Sequence, residues 1–146
     1  MSALADLLKN TVKRNAIVDD CARLVDEEVA AKGGLSGIAI KGGYAVIKAL
    51  KPGIIRDACD HLVDEFVGKL DPYWADFKTT GGKTFESFLT PKKNQVANAL
   101  LEVTDGKARN AKNPTIKKVY DKLRPTGVKN VEVAVPGIAR VIEKNA

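Results

Sequence analysis

The sequence predicts an all-α fold, a single compact bundle of six to eight helices, from three observations. Apolar residues recur at helical spacing in most segments, as on the stripe formed by Ile55, Cys59, Leu62 and Phe66. Capping residues, glycines and prolines separate these segments. The one stretch that alternates like a strand, 131–135, has no second strand with which to pair, so we interpret it as helical.

The first half of the chain predicts four helices arranged as two repeated αα-hairpins. The expected bounds are about 2–13, 16–31, 36–50 and 54–70, with Ser2, Asn15, Ser36 and Gly53 at or near their starts. Shifting the fourth helix back by 38 residues aligns 55–67 with 17–29 and gives eight identities in thirteen positions. A unit of that length suits a helical hairpin that occurs twice, and the alternative is a convergence of two core helices.

The third predicted helix contains Gly42 and Gly43, and each should cost about 1 kcal/mol relative to alanine. Gly43 belongs to a stripe of small residues with Ala39 and Val46. This stripe predicts that another helix crosses closely at this point. The alternative is a break in the helix at the two glycines.

The second half begins where Asp71-Pro72 is expected to end the fourth helix. Tyr73, Trp74 and Phe77 should then seat the link against the bundle. The chain is expected to be one domain, 1–146, with the loop 78–84 as its best internal boundary. Further helices are expected at about 85–89, 91–104, 114–123 and 128–144. Pro136 should kink or divide the last of them.

Composition restricts the class of protein more than its function. No apolar run approaches the roughly 20 residues of a membrane span, and the N-terminus does not resemble a signal peptide. We therefore expect a cytoplasmic protein with reduced cysteines, in which Cys21 and Cys59 are buried core residues. The formal charge of +6 is unevenly placed, because residues 76–146 carry 14 basic and 7 acidic side chains, a net charge of +7, whereas residues 1–75 carry 10 and 11.

His61 is the only histidine, and Asp57 and Glu65 lie four residues to either side of it. Such a set could hold a general base or a metal ion, but we favour the interpretation as a solvated acidic helix face. The segment Gly81-Gly-Lys-Thr84 resembles the end of a phosphate-binding loop, but the glycine required five positions before Gly82 is absent. The sequence therefore predicts no catalytic, cofactor-binding or metal-binding residue.

The strongest signal outside the core is a basic segment at 107–129, which contains one acidic residue, Asp121. Its cations are Lys107, Arg109, Lys112, Lys117, Lys118, Lys122, Arg124 and Lys129. Phosphate backbones attract such clusters, and these eight residues are our candidate contacts to a polyanion. No motif that reads bases accompanies them, so any nucleic-acid binding should be weak.

Four short motifs are similar to those of an uncharacterised bacterial family of small helical proteins. They are Gly33-Gly-Leu-Ser-Gly37, Asp71-Pro-x-Trp74, Ala99-Leu-Leu-x-Val-Thr-Asp105 and Ile116-Lys-Lys-Val-Tyr-Asp-Lys-Leu-Arg124. The resemblance covers nearly the whole chain. It implies a bacterial source and a cytoplasmic setting, but no activity, cofactor or partner.

The function expected from the sequence is that of a non-enzymatic cytoplasmic binding or scaffold protein, with another protein as its partner. One alternative is a weak nucleic-acid or polyanion binder that uses 107–129. A second is a lipid or small-molecule carrier, with a cavity between helices bordered by Gly42-Gly43 and by the aromatic residues of 73–77.

Overall fold

The computed structural model describes residues 3–146, and this part of the chain is all-α and contains no strand. Eight α-helices follow one another in chain order. They are α1 (Ala3–Leu7), α2 (Thr11–Ala31), α3 (Gly34–Lys48), α4 (Ile54–Thr80), α5 (Phe85–Leu89), α6 (Lys93–Arg109), α7 (Pro114–Leu123) and α8 (Gly127–Asn145). Single 3₁₀ turns at Thr90–Lys92 and Arg124–Thr126 lead into α6 and α8. The predicted fold class is confirmed, and 131–135 lies within α8.

The core is centred on α4, the longest helix. Its buried side chains are Val63, Val67, Leu70, Trp74 and Phe77, which recur every three or four residues along one face. α4 packs against α1, α2 and α6, while α8 packs against α2, α5 and α6. These two contact sets join the N-terminal and C-terminal helices around one buried cluster.

An aromatic cluster closes one end of this core. The ring of Phe85, which is fully buried, lies edge-on to Trp74, with ring centroids 4.9 Å apart and planes at 87°. Phe77 and Phe88 complete the cluster, with ring centroids 5.5 and 6.4 Å from that of Phe85. Trp74 and Phe77 were expected in a link after the fourth helix, but both lie within α4. Their contacts with Phe85 hold the short helix α5 against α4.

The predicted boundary between the first two helices is wrong. α1 ends at Leu7, and the side chain of Asn10 accepts a hydrogen bond from the backbone N–H of Lys13 and so caps α2. Asn15 lies inside α2, and the predicted cap Ser2 lies outside the described residues. The N-terminal cap of α2 therefore lies five residues earlier than predicted. Asn10 can accept a hydrogen bond from a free N–H group of the first helical turn as well as Asn15 could.

The structure does not confirm two repeated hairpins. α1 packs on α4, with Leu4 buried and its N–H 3.4 Å from the carboxylate of Asp71. The two aligned helices also bury different positions, since Val18 is fully buried whereas Arg56, the residue aligned with it, forms an ion pair with Asp19 at 2.6 Å. The similarity of α2 and α4 is therefore that of two amphipathic helices in one core.

Two predicted helix ends are interior positions. α4 continues through Pro72 to Thr80, because Pro72 and Gly68 lie on the exposed side, where water can hydrate the carbonyl group that loses its partner. α6 likewise continues past Asp105-Gly106 to Arg109. α8 also runs undivided through Pro136. The loop expected at 78–84 is therefore limited to 81–84.

The corner between α2 and α3 is built from glycines. Gly34 adopts a φ of 72°, a left-handed conformation that favours glycine. Gly37 is buried against the end of α2, where an added Cβ atom would lie 2.8 Å from the backbone carbon of Lys32. This corner fixes the direction in which α3 leaves the bundle. In the described part of the chain, no helix is both long and apolar enough to cross a membrane.

Candidate docking surface

α3 exposes apolar side chains along its entire length. Leu35, Ile38, Gly42, Val46 and Ala49 recur at helical spacing on the side that faces away from the bundle, and we call this set the outer face of α3. Leu35 is 88% exposed, Ile38 70% and Val46 46%. Full burial of one leucine or isoleucine side chain stabilises by about 1.5–3 kcal/mol relative to leaving it in water. A partner that covered this face would gain that energy several times.

One border of the outer face carries lysines. Lys41 and Lys48 are exposed on the side of α3 that faces α2. The Lys48 ammonium group lies 3.8 Å from Asp26 and 5.3 Å from the ring centre of Tyr44, whose hydroxyl donates a hydrogen bond to the same carboxylate. Burial and that hydrogen bond raise the pKa of Tyr44 above its ordinary value. These contacts hold the border in place, and Lys41 forms no ion pair with a described residue.

The opposite border is formed by α7, which packs on α3 at Gly43. A Cβ atom added to Gly43 would lie 2.9 Å from Val119 and 3.3 Å from Leu123. The close helix crossing predicted at Gly43 is therefore confirmed, and α3 is continuous at this point. The rest of the predicted stripe differs, because Val46 belongs to the outer face and not to the crossing.

α7 is also bonded to α6 through Asp105. Two guanidinium nitrogens of Arg124 donate to the carboxylate at 2.8 and 3.1 Å, and the hydroxyl of Tyr120 donates to it as well. These hydrogen bonds hold the pKa of Asp105 below its ordinary value. The Tyr120 hydroxyl lies 2.7 Å from that of Thr104, which completes the network. Asp105 was predicted to end α6, but its role is to anchor α7.

Two exposed lysines of α7, Lys118 and Lys122, project from the side of the helix that faces away from α6. Successive helix residues differ by about 100° in direction, so Lys118 and Tyr120 project to opposite sides of Val119. Lys122 and Arg124 are related in the same way around Leu123. Since Tyr120 and Arg124 reach α6, Lys118 and Lys122 point away from it, and from the crossing at Gly43 we infer that they project on the side of the outer face of α3. Both are exposed.

The eight cations of the basic segment therefore have different environments. Two are engaged within the protein, because Lys107 pairs with Glu65 at 2.7 Å and Arg124 with Asp105. The charge of Arg109 also acts on Asp105. Exposed cations that form no ion pair with a described residue are Lys112, Lys117, Lys118, Lys122 and Lys129. Three of these five exposed lysines, Lys117, Lys118 and Lys122, lie on α7.

His61 does not assemble an acid–base site. Its imidazole is exposed, and Nδ1 lies 2.7 Å from the backbone carbonyl oxygen of Asp57, one turn earlier in α4. The carboxylate of Asp57 instead pairs with Lys51 at 3.0 Å, and that of Glu65 pairs with Lys107. Within residues 3–146, no group of three or more His, Cys, Asp or Glu side chains is arranged to hold a metal ion.

Two other sequence features have structural roles. Thr84 caps α5 in a reciprocal capping box with Ser87, and Gly81, at a φ of 70°, ends α4. The segment that resembles a phosphate-binding loop is thus a connection between helices. At the two places expected to border a carrier cavity, Val119 lies against Gly43 and the ring of Phe85 packs on that of Trp74.

Cys21 and Cys59 are free thiols on the facing sides of α2 and α4. They are half-buried and not fully buried as expected. Burial raises the pKa of Cys21 to about 12, and it also raises the pKa of Cys59. Only a small fraction of either thiol is therefore ionised near neutral pH.

We expect both cysteines to react slowly with a thiol reagent in the native protein at pH 8, and rapidly after unfolding in urea. The physical reason is that the thiolate is the reactive form and burial disfavours it. The rate of native labelling should rise with pH up to the limit of stability. Rapid labelling of both thiols in the native state, with no such pH dependence, would contradict this expectation.

The exposed outer face of α3 was not predicted from the sequence, although two features of the sequence indicate it. α3 has apolar residues on two sides, with Ile40 and Ile47 directed inward and Leu35 and Ile38 outward. In addition, no aspartate or glutamate occurs between Val29 and Arg56. A helix that is apolar all round is expected in a core, so only the structure reveals that one side is uncovered.

The structure is that of a small all-α protein with exposed apolar side chains along one side of α3. The chain belongs to a family of unknown function, DUF6918, whose sequence profile matches residues 4–146. No curated protein and no solved structure matches the chain.

Proposed function

We propose that this protein is a non-enzymatic cytoplasmic binding or scaffold protein that acts through the outer face of α3. The observation that carries the proposal is the continuous exposure of Leu35, Ile38 and Val46 on one side of one helix. Single exposed apolar residues such as Val12 and Val133 are ordinary on a protein surface. A stripe of them with a polar border is typical of a surface that another molecule covers.

The rigidity of the surface supports this proposal. α3 is held by the glycine corner at Gly37 and by the crossing of α7 at Gly43, and α7 is held by Asp105. The apolar side chains are therefore presented on packed helices and not on a loop. A preorganised surface loses little conformational freedom when it binds a partner.

The non-enzymatic part of the proposal is supported by the engagement of the polar groups near His61. Asp57 and Glu65 are already paired with lysines, so neither orients the imidazole. In the depression between α2 and α8, the carboxylate of Asp20 likewise already has hydrogen-bond partners within the protein. Burial alone would raise the pKa of Asp20 there, but hydrogen bonds from Asn145 and Lys144 hold it below its ordinary value. The cytoplasmic setting rests on the family resemblance.

Photo-crosslinking in cells of the source organism tests the proposal. A photoreactive amino acid placed at Ile38 should form adducts with another molecule, and the same amino acid at Val133, which is 60% exposed on α8, should not. Leu35→Gln should reduce the adducts at position 38. Equal labelling at the two positions, or none at either, would refute a role for the outer face.

A second candidate function is polyanion binding through α7. It is favoured by the exposure of Lys117, Lys118 and Lys122 on one helix, opposite the half-buried Val119 and Leu123. Such lysines would contact phosphates and not base edges, so binding should be indifferent to sequence.

For this candidate we expect weak binding to duplex DNA and RNA that falls with salt, with a log-log slope of about −0.9 for each phosphate neutralised on B-DNA. Fluorescence anisotropy measures it. Changing Lys117, Lys118 and Lys122 to glutamate should abolish it. A control that reverses the exposed lysines Lys13, Lys83 and Lys93 makes the same change in net charge and should retain most of it. Absence of binding by the wild type at low salt would eliminate this candidate.

A further inference from the structure

The outer face of α3 and its borders specify the chemistry of the partner more closely than the proposed function, on which this inference rests. From the helix geometry given above, the apolar stripe lies between Lys41 and Lys48 on one side, of which Lys48 is paired with Asp26, and Lys118 and Lys122 on the other. No acidic residue occurs between Val29 and Arg56, so α3 contributes no negative charge to the surface. The complement of this pattern is an apolar stripe between acidic rows.

The charge pattern argues against a second copy of this chain as the occupant. If two outer faces packed together, each would bring its own lysines to the borders and no carboxylate from α3 to neutralise them. Like charges placed opposite each other across an interface oppose association. Asp26 already lies beside Lys48, but Lys41, Lys118 and Lys122 form no ion pair with a described residue, so the occupant is expected to supply negative charge to them.

Gly42 argues for a helix as the occupant. It lies in the middle of the outer face, and an added Cβ atom would meet nothing within 4 Å, so no contact inside the described protein requires glycine there. Gly37 and Gly43, in the same helix, both have close neighbours at the Cβ position. A glycine at the centre of the outer face leaves room for the backbone of a crossing helix. A lipid surface needs no such room and would favour a bulky apolar side chain.

We propose that the outer face of α3 docks an acidic amphipathic helix of another protein. The apolar side of that helix covers Leu35, Ile38 and Val46 and approaches most closely at Gly42. Its aspartates and glutamates lie opposite Lys41 and Lys48 on one border and Lys118 and Lys122 on the other.

Selection from a displayed library of random 20-residue peptides tests this proposal. The protein is used as a full chain, with counter-selection against the double variant Leu35→Gln, Ile38→Gln. We expect the enriched peptides to carry apolar residues at helical spacing with an excess of acidic residues. Val12→Gln with Val133→Gln, the same kind of change on exposed positions of α2 and α8, should leave their binding unchanged.

Two further variants separate the possible occupants. Gly42→Leu should weaken the selected peptides at least tenfold, because the side chain fills the space at the crossing. Lys118→Glu with Lys122→Glu should also weaken them at least tenfold. Circular dichroism and thermal unfolding check that each variant retains the fold, which is expected because all these side chains are exposed.

Several results would overturn the proposal. They are an absence of enriched peptides, enriched peptides without an acidic excess, and binding that is insensitive to Gly42→Leu. Sedimentation with phosphatidylglycerol vesicles that Gly42→Leu strengthens would identify a membrane surface instead. Self-association that is lost on changing Leu35 and Ile38 would identify a second copy. In these cases adducts at Ile38 in cells would still support the proposed function, so the two can fail separately.

Discussion

Phe85→Ala should reduce the free energy of unfolding by about 3–5 kcal/mol, the range observed when a buried aromatic ring is deleted. Phe85 is fully buried, and its ring contacts those of Trp74, Phe77 and Phe88. Its removal leaves a cavity that α4 and α5 can close only by moving together. For a chain of this length the thermal midpoint should fall by roughly 6–20 °C. Urea unfolding followed by circular dichroism measures the change.

Phe85→Leu is the matched control, because it keeps an apolar side chain in the same space and should cost clearly less. Val133→Ala, on the exposed side of α8, should change stability by less than about 0.5 kcal/mol. If Phe85→Ala cost no more than Val133→Ala, the aromatic cluster would not be part of the core.

The second large effect is expected at Gly37. Gly37→Ala places a Cβ atom 2.8 Å from the backbone carbon of Lys32 and 2.9 Å from its oxygen. Neither atom can rotate away, so the corner between α2 and α3 must open, at a cost of about 1–3 kcal/mol. Chemical denaturation measures the loss, and peptide binding at the outer face should weaken with it, since the corner directs α3.

Gly42→Ala provides the comparison, since it makes the same chemical change five residues further along the same helix. It meets no neighbour within 4 Å and should stabilise the protein by about 1 kcal/mol through helix propensity. The two substitutions are therefore expected to have opposite signs. Effects of the same sign would contradict the close contact at Gly37 or the open space at Gly42.

Helices were easier to predict than their ends. The bounds of α7 were predicted correctly, and at its start the side-chain oxygen of Asn113 accepts hydrogen bonds from two backbone N–H groups. Pro72 was misleading because local chemistry favours a stop there, but the burial of Leu70, Trp74 and Phe77 continues the helix through it. Packing along one face outweighs the loss of a single hydrogen bond that water can replace.

The candidate site was only half visible in the sequence. The lysines of α7 were found because charge clusters can be read directly from composition. The exposure of Leu35 and Ile38 could not be predicted, since periodicity cannot show which of two apolar sides is covered. The ion pair of Arg124 could not be predicted either, because its partner Asp105 lies on a different helix.

The position of α8 also affects how the protein is made. The end of α8 contacts α2, where Asp20 accepts hydrogen bonds from Lys144 and Asn145. These contacts can form only after residues more than a hundred positions further along the chain have been synthesised. Until α8 has left the ribosome, the apolar sides of α2, α5 and α6 that it covers stay open. Such exposure makes a nascent chain prone to aggregation. We therefore expect α2, α5 and α6 to pack fully only after α8 has been synthesised.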